Sequence, residues 1–166
     1  MDYFSIIVNR NLQRGVLIDT KPLLLFLIGS YNPNSIETSK LTQEFTQEDY
    51  ELLVNFLKRF NQIVTTPNIL TEASNLLDRS EGKIRDKLYE LFSYYIQEFV
   101  EESKPSKETV TNKSFSKYGL TDLAIMDNAK GKYLVLTGDL PLYGYLENIG
   151  VDVINFNHLR TVTLLR

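Results

Sequence analysis

Four carboxylates are the residues of this chain best suited to do chemistry. Asp19 directly follows the short apolar run Val16-Leu17-Ile18, and Asp139 ends Leu136-Thr137-Gly138-Asp139. Asp122 closes Gly119-Leu120-Thr121-Asp122, and Glu72 lies in Thr71-Glu72-Ala73. Carboxylates brought together repel one another. At about 4 Å, two such charges cost on the order of 4 kcal/mol at an effective dielectric near 20. A divalent cation removes that cost, or one acid keeps its proton. The chain has no Cys and a single His, His158. Thiolate zinc sites and cysteine catalysis are excluded, and a His-based triad nearly so. A metal must then rest mainly on oxygen donors, which points to Mg²⁺ or Mn²⁺.

The elements that would carry these acids follow from apolar spacing. Residues 15–18 and 133–136 read as short buried strands, as do 62–65 and 151–154. Between them lie helical patterns. One covers residues 21–30, with Leu23 to Ile28 apolar on all sides, and is read as fully buried or as part of a dimer contact. Another covers 46–60, opened by Thr46 with Asp49 three residues on, the spacing of a capping box. A third opens at Thr66-Pro67 and runs to about Arg79. A longer one covers 83–102, and further ones cover 121–130 and 139–148. Residues 103–118 are polar, contain Pro105 and read as a loop. Ile6-Ile7-Val8 reads as an edge strand or as a segment packed outside the core.

Strands alternating with helices, each strand a short continuous apolar run, predict an α/β three-layer sandwich. Its central, mainly parallel sheet has 4–5 short strands. Ligands in such sheets bind at the carboxyl ends of the strands, at a topological switch point. Asp19, Asp122 and Asp139 fall at that edge, and Glu72 leans towards it from the helix after the second strand, with Asn75 on the same side. Each Asp also stands where a carboxylate caps a helix, and Glu72 alone would suit a solvated helix face. It is the joint placement that points to a site.

Bulk properties bound the alternatives. The length of 166 residues suits one domain over 1–166, with 1–13 as an N-terminal extension and 80–118 as an elaboration. A net charge of −3 gives no global attraction to nucleic acid, so such a role would need a local basic patch. Lys104, Lys107, Lys113, Lys117, Lys130 and Lys132 are the candidate patch, with a solvated loop as the equal alternative. The run from Pro22 to Gly29 is far short of the roughly 18 residues that span a bilayer, so no membrane role is expected. No signal-peptide pattern opens the chain, and Cys is absent. A cytoplasmic location is the expectation. Phe92, Tyr95 and Phe99, at helical spacing, read as core or interface and not as a base-stacking platform. His158 is expected to stand apart from substrate.

Four stretches together resemble the PIN domain, the metal-dependent nuclease fold of VapC-type toxins and related RNA-cleaving proteins. They are Val16-Leu17-Ile18-Asp19-Thr20, residues 66–77 around Glu72, Gly119-Leu120-Thr121-Asp122-Leu123-Ala124-Ile125, and Leu134-Val135-Leu136-Thr137-Gly138-Asp139. The resemblance covers residues of about 14–158. It implies an acidic quartet of Asp19, Glu72, Asp122 and Asp139; the expected roles are Asp19 and Asp139 as direct metal ligands, Asp122 as a ligand directly or through water, and Glu72 orienting or deprotonating the attacking water. Thr137 and Asn75 fall where the family has polar neighbours to its acids. The implied activity is Mg²⁺- or Mn²⁺-dependent endoribonuclease cleavage that leaves a 5′-phosphate. The implied partners are RNA, an antitoxin protein and a second copy of the chain. A non-catalytic PIN-like module that binds RNA or protein is the alternative. A haloacid-dehalogenase-type phosphatase would place a second Asp where Lys21 stands, and a response-regulator receiver would need an acid pair that is absent.

Overall fold

The computed structural model describes residues 1–164. Five strands form one wholly parallel sheet: β1 (Val16–Ile18), β2 (Ile63–Thr65), β3 (Val100–Glu101), β4 (Leu134–Thr137) and β5 (Val153–Asn155). Their order is β3-β2-β1-β4-β5. Helices α1 (Tyr3–Asn11), α2 (Thr20–Tyr31), α3 (Gln47–Leu57), α4 (Pro67–Leu77), α5 (Gly82–Glu98), α6 (Ser106–Thr109), α7 (Phe115–Ala129), α8 (Leu140–Asn148) and α9 (Phe156–Leu164) complete the α/β sandwich. No described helix is long and apolar enough to cross a membrane.

Every residue of β1, β4 and β5 is buried, as expected of parallel strands covered on both faces. The chain leaves β1 for β2 and β3 on one side, then returns to place β4 and β5 on the other. The switch point therefore lies between the carboxyl ends of β1 and β4. The Asp19 amide donates to the Leu136 carbonyl at 2.9 Å, which carries the β1–β4 pairing up to the first acid.

Helix α2 is buried along Leu23 to Ile28 within the single chain, so its apolar excess belongs to the core. A side chain at Gly29 would meet the Tyr50 ring at 2.2 Å, so a residue without Cβ lets α2 and α3 approach closely. Phe26 of α2 packs edge-on to Tyr95 at 4.7 Å, and Phe99 lies 6.4 Å from it. The aromatic stripe of α5 is core packing. The capping box at α3 forms as expected: Thr46 and Asp49 exchange backbone and side-chain hydrogen bonds.

Three expectations are corrected. Ile6-Ile7-Val8 is neither an edge strand nor outside the core. It belongs to α1, capped by Asp2 at 2.8 Å from the Ser5 amide, and Ile7 and Val8 are buried. Arg10 and Asn11 tie this helix to Asp152, just before β5. The helix expected over 83–102 ends at Glu98, because Val100 and Glu101 pair with Val64 and Thr65 of β2. Residues 103–118 are not a plain loop, since they hold the turn α6 and the start of α7. The final helix α9 is held by Arg160, whose guanidinium pairs with Asp49 at 2.8 Å and donates to the Glu44 carbonyl at 3.0 Å.

Candidate active site at the carboxyl edge of the sheet

Asp19 leaves β1 at the switch point and caps α2, its Oδ1 accepting from the Thr20 amide at 2.7 Å. It is buried, 8% exposed. Its Oδ2 accepts from the Thr137 hydroxyl at 2.6 Å. The Thr137 oxygen in turn accepts from the Asp139 amide at 3.0 Å. Thr137 thus spends its hydroxyl on Asp19 and on the turn after β4. Asp139 caps α8, its Oδ1 accepting from the Leu142 amide at 2.7 Å. The capping reading of these two aspartates is borne out.

Glu72 is exposed on α4, and its Oε2 accepts from the Thr20 hydroxyl at 3.0 Å. Thr20 therefore joins Asp19 to Glu72 through its amide and its hydroxyl. Sequence reasoning gave Thr20 no role. The only signal was its position, directly after an acid at a strand end and at the first turn of a helix. Asn75 is exposed, three residues beyond Glu72. Asp122 does not cap a helix, as expected of it, but sits inside α7 beyond a break at Gly119 (φ 80°, ψ 178°). A residue with a Cβ would be strained there. The break sets the turn 115–118 off the axis of the helix that carries Asp122.

The electrostatics tie the four acids together. Burial pushes the Asp19 carboxyl up; hydrogen bonds from Thr137 and the Thr20 amide oppose this, while the charges of Glu72 and Asp139 add to it. Asp122 is pushed up to about 7, first by burial and then by the charges of Asp19, Asp139 and Glu72. No hydrogen bond offsets its rise. Lys21 packs its stem past Gly138, but its ammonium pairs with Glu44 at 2.8 Å and leaves the carboxylates unbalanced.

No family model and no curated protein matches this chain. The site stands on its own geometry. Its donors are oxygen only, and the Asp19 and Asp122 carboxyls are raised, a chemistry that fits a hard divalent cation. Among the described residues, however, no three acidic or imidazole groups stand converged to hold a metal ion. Oδ1 and Oδ2 of Asp19, Oδ1 of Asp139 and Oε2 of Glu72 each accept from a donor of the protein.

The topology divides the candidate lysines. Lys104, Lys107, Lys113 and Lys117 lie between the carboxyl end of β3 and Asp122, at the acidic edge. Lys130 and Lys132 precede β4 and fall at the opposite, amino edge. All six are exposed, but they do not form one track. His158 is exposed on α9, its ring edge-on to Tyr143 at 5.2 Å.

Proposed function

We propose that this chain is a PIN-like, metal-dependent endoribonuclease that hydrolyses RNA phosphodiester bonds. The observation that carries the reading is the linkage of Asp19 at the switch point of the parallel sheet to Asp139 through Thr137 and to Glu72 through Thr20, beside the raised carboxyl of Asp122. In this reading Asp19, Asp122 and Asp139 hold Mg²⁺ or Mn²⁺. A bound ion would lower the pKa of its water and neutralise charge developing on the phosphate. Glu72, free at its other oxygen, orients or deprotonates the attacking water. Thr137 keeps Asp19 in place, and Thr20 does the same for Glu72. Lysines 104, 107, 113 and 117 supply phosphate contacts at the acidic edge, without sequence choice. An antitoxin partner, a homodimer and a cytoplasmic setting belong to the same proposal.

The lack of a converged triad favours one second reading, a non-catalytic PIN-like module that binds RNA or protein. One pair of measurements separates the two. Asp19→Asn should abolish Mn²⁺-dependent cleavage of single-stranded RNA while leaving the circular dichroism unchanged. Titrating Mn²⁺ should raise the melting temperature of the wild type and not that of Asp19→Asn. Full cleavage by Asp19→Asn removes that residue from the mechanism. A wild type whose melting temperature ignores Mn²⁺ supports the binding module.

A further inference from the structure

A second feature lies beside the acids, in the gap between the helices that carry two of them. Tyr118, at the break in α7, stacks on Tyr145 of α8 with ring centroids 4.3 Å apart and planes 26° apart. The Lys117 ammonium stands over the Tyr118 ring, 5.2 Å from its centroid. The pair borders an open hollow of about 590 Å³ walled by Lys117, Pro141 and Gly144. Both tyrosines are only half-buried, and Lys117 and Gly144 are exposed. Beyond its chain neighbours Tyr143 and Tyr145, a side chain added at Gly144 would meet nothing within 4 Å, so the wall of the hollow is open at this residue. The position is specific. Tyr118 is four residues before Asp122, and Tyr145 is six residues beyond Asp139, about 9 Å along α8 at 1.5 Å per residue.

An aromatic pair with an adjacent cation, open to solvent and next to a phosphate-processing edge, suits a base and its phosphate. We propose that this hollow is a nucleobase subsite: a base of single-stranded RNA next to the scissile phosphate displaces the exposed Lys117 ammonium from the face of Tyr118 opposite Tyr145 and stacks there, and the displaced ammonium contacts its phosphate. The identity of the strand rests on the ribonuclease reading; the stacking chemistry does not. Stacking of this kind tolerates any base, because every base has a π face. It gives the cleft a way to grip a flexible strand that the acids alone would repel.

The test is binding without metal, so that it is independent of cleavage. Short single-stranded RNA carrying one 2-aminopurine is titrated with the protein in EDTA, and quenching of the probe reports stacking. The wild type should quench the probe. Tyr118→Phe should keep the quenching, and Tyr118→Leu should lose it and bind about tenfold more weakly. Should Tyr118→Leu fail to fold, Gly144→Leu decides: its side chain enters the open hollow, helix α8 gains a better helix former, and binding should again fall about tenfold with the melting temperature kept. A wild type that leaves the probe unquenched overturns the subsite, and so does wild-type affinity in folded Gly144→Leu. Either result leaves the nuclease reading to the Asp19→Asn cleavage assay. Loss of cleavage in Asp19→Asn beside unchanged binding in Gly144→Leu would retain the acids and discard the tyrosines.

Discussion

Asp19 and Asp49 are equally buried, at 8% and 7% exposed, yet they sit in opposite electrostatic surroundings. Asp49 accepts from the Thr46 amide at 2.8 Å and from the Arg160 guanidinium at 2.8 Å. It locks the start of α3 to the end of the chain, and its charge is balanced. Asp19 has two hydrogen bonds and no cation, and the charges that act on it are those of other acids. A fold keeps a buried carboxylate in balance when its task is structural. In the proposed reading, the unbalanced acids at the carboxyl edge are where a positive partner would bind. Burial alone would not have told the two apart.

The sharpest way to break that contrast is to neutralise each acid in turn. Asp49→Ala leaves Arg160 without its partner and removes the capping box, so urea unfolding should show a loss of about 3 kcal/mol. Asp19→Asn in metal-free buffer should change stability by less than about 1 kcal/mol, because the amide oxygen still accepts from the Thr20 amide and the loss of a repulsive charge offsets the lost acceptor of the Thr137 hydroxyl. Equal losses in the two variants would end the distinction.

The second contrast is in pH. The Asp122 carboxyl is raised in the folded chain from 3.8 to about 7, and Asp19 is raised as well. An unfolded chain gives up these protons near pH 4, while the folded chain holds the Asp122 proton until about pH 7. Between those values the folded state binds more protons, so stability in EDTA should fall as pH rises. Thermal melts across that range should show the fall in the wild type and a flatter curve in Asp122→Asn. Mn²⁺ should raise the melting temperature more at pH 7.5 than at pH 5. A wild-type curve without the decline would remove the strain attributed to the cluster.

The smallest effect concerns the two threonines that serve the two aspartates. Thr137→Val leaves Asp19 Oδ2 and the Asp139 amide without a partner, for a loss of about 2 kcal/mol. Thr46→Val removes a cap at the rim of α3, for about 1 kcal/mol. Thr137→Val should also cut cleavage, and Thr46→Val should not. Chemical denaturation and single-turnover cleavage of the two variants would show whether positioning the acid, and not stability alone, is what Thr137 does.

Much of this was legible along the chain. Four of the strands announce themselves as short apolar runs, and the rule for parallel sheets puts the acids after β1 and β4 at their carboxyl edge. The Thr46–Asp49 box is legible because both partners lie within one helical turn. Asp122 was read as opening a helix, whereas α7 begins at Phe115 and is broken at Gly119, a break the apolar spacing does not reveal. The lysines looked like one group because they are close in sequence, whereas the length of α7 carries Lys130 and Lys132 to the far edge.

The sequence by itself determined the strand runs, most helix starts and the acids at the strand ends, because those signals come from hydrogen bonds and apolar spacing over three or four residues. Only the tertiary structure decided that Val100 and Glu101 become a strand, that α1 belongs to the core, that Thr20 reaches Glu72 and that Tyr118 stacks on Tyr145. Each of these depends on a partner distant in the chain. A contact between distant segments leaves no periodic trace in either one, and it forms only because burying the shared core repays the entropy of bringing them together.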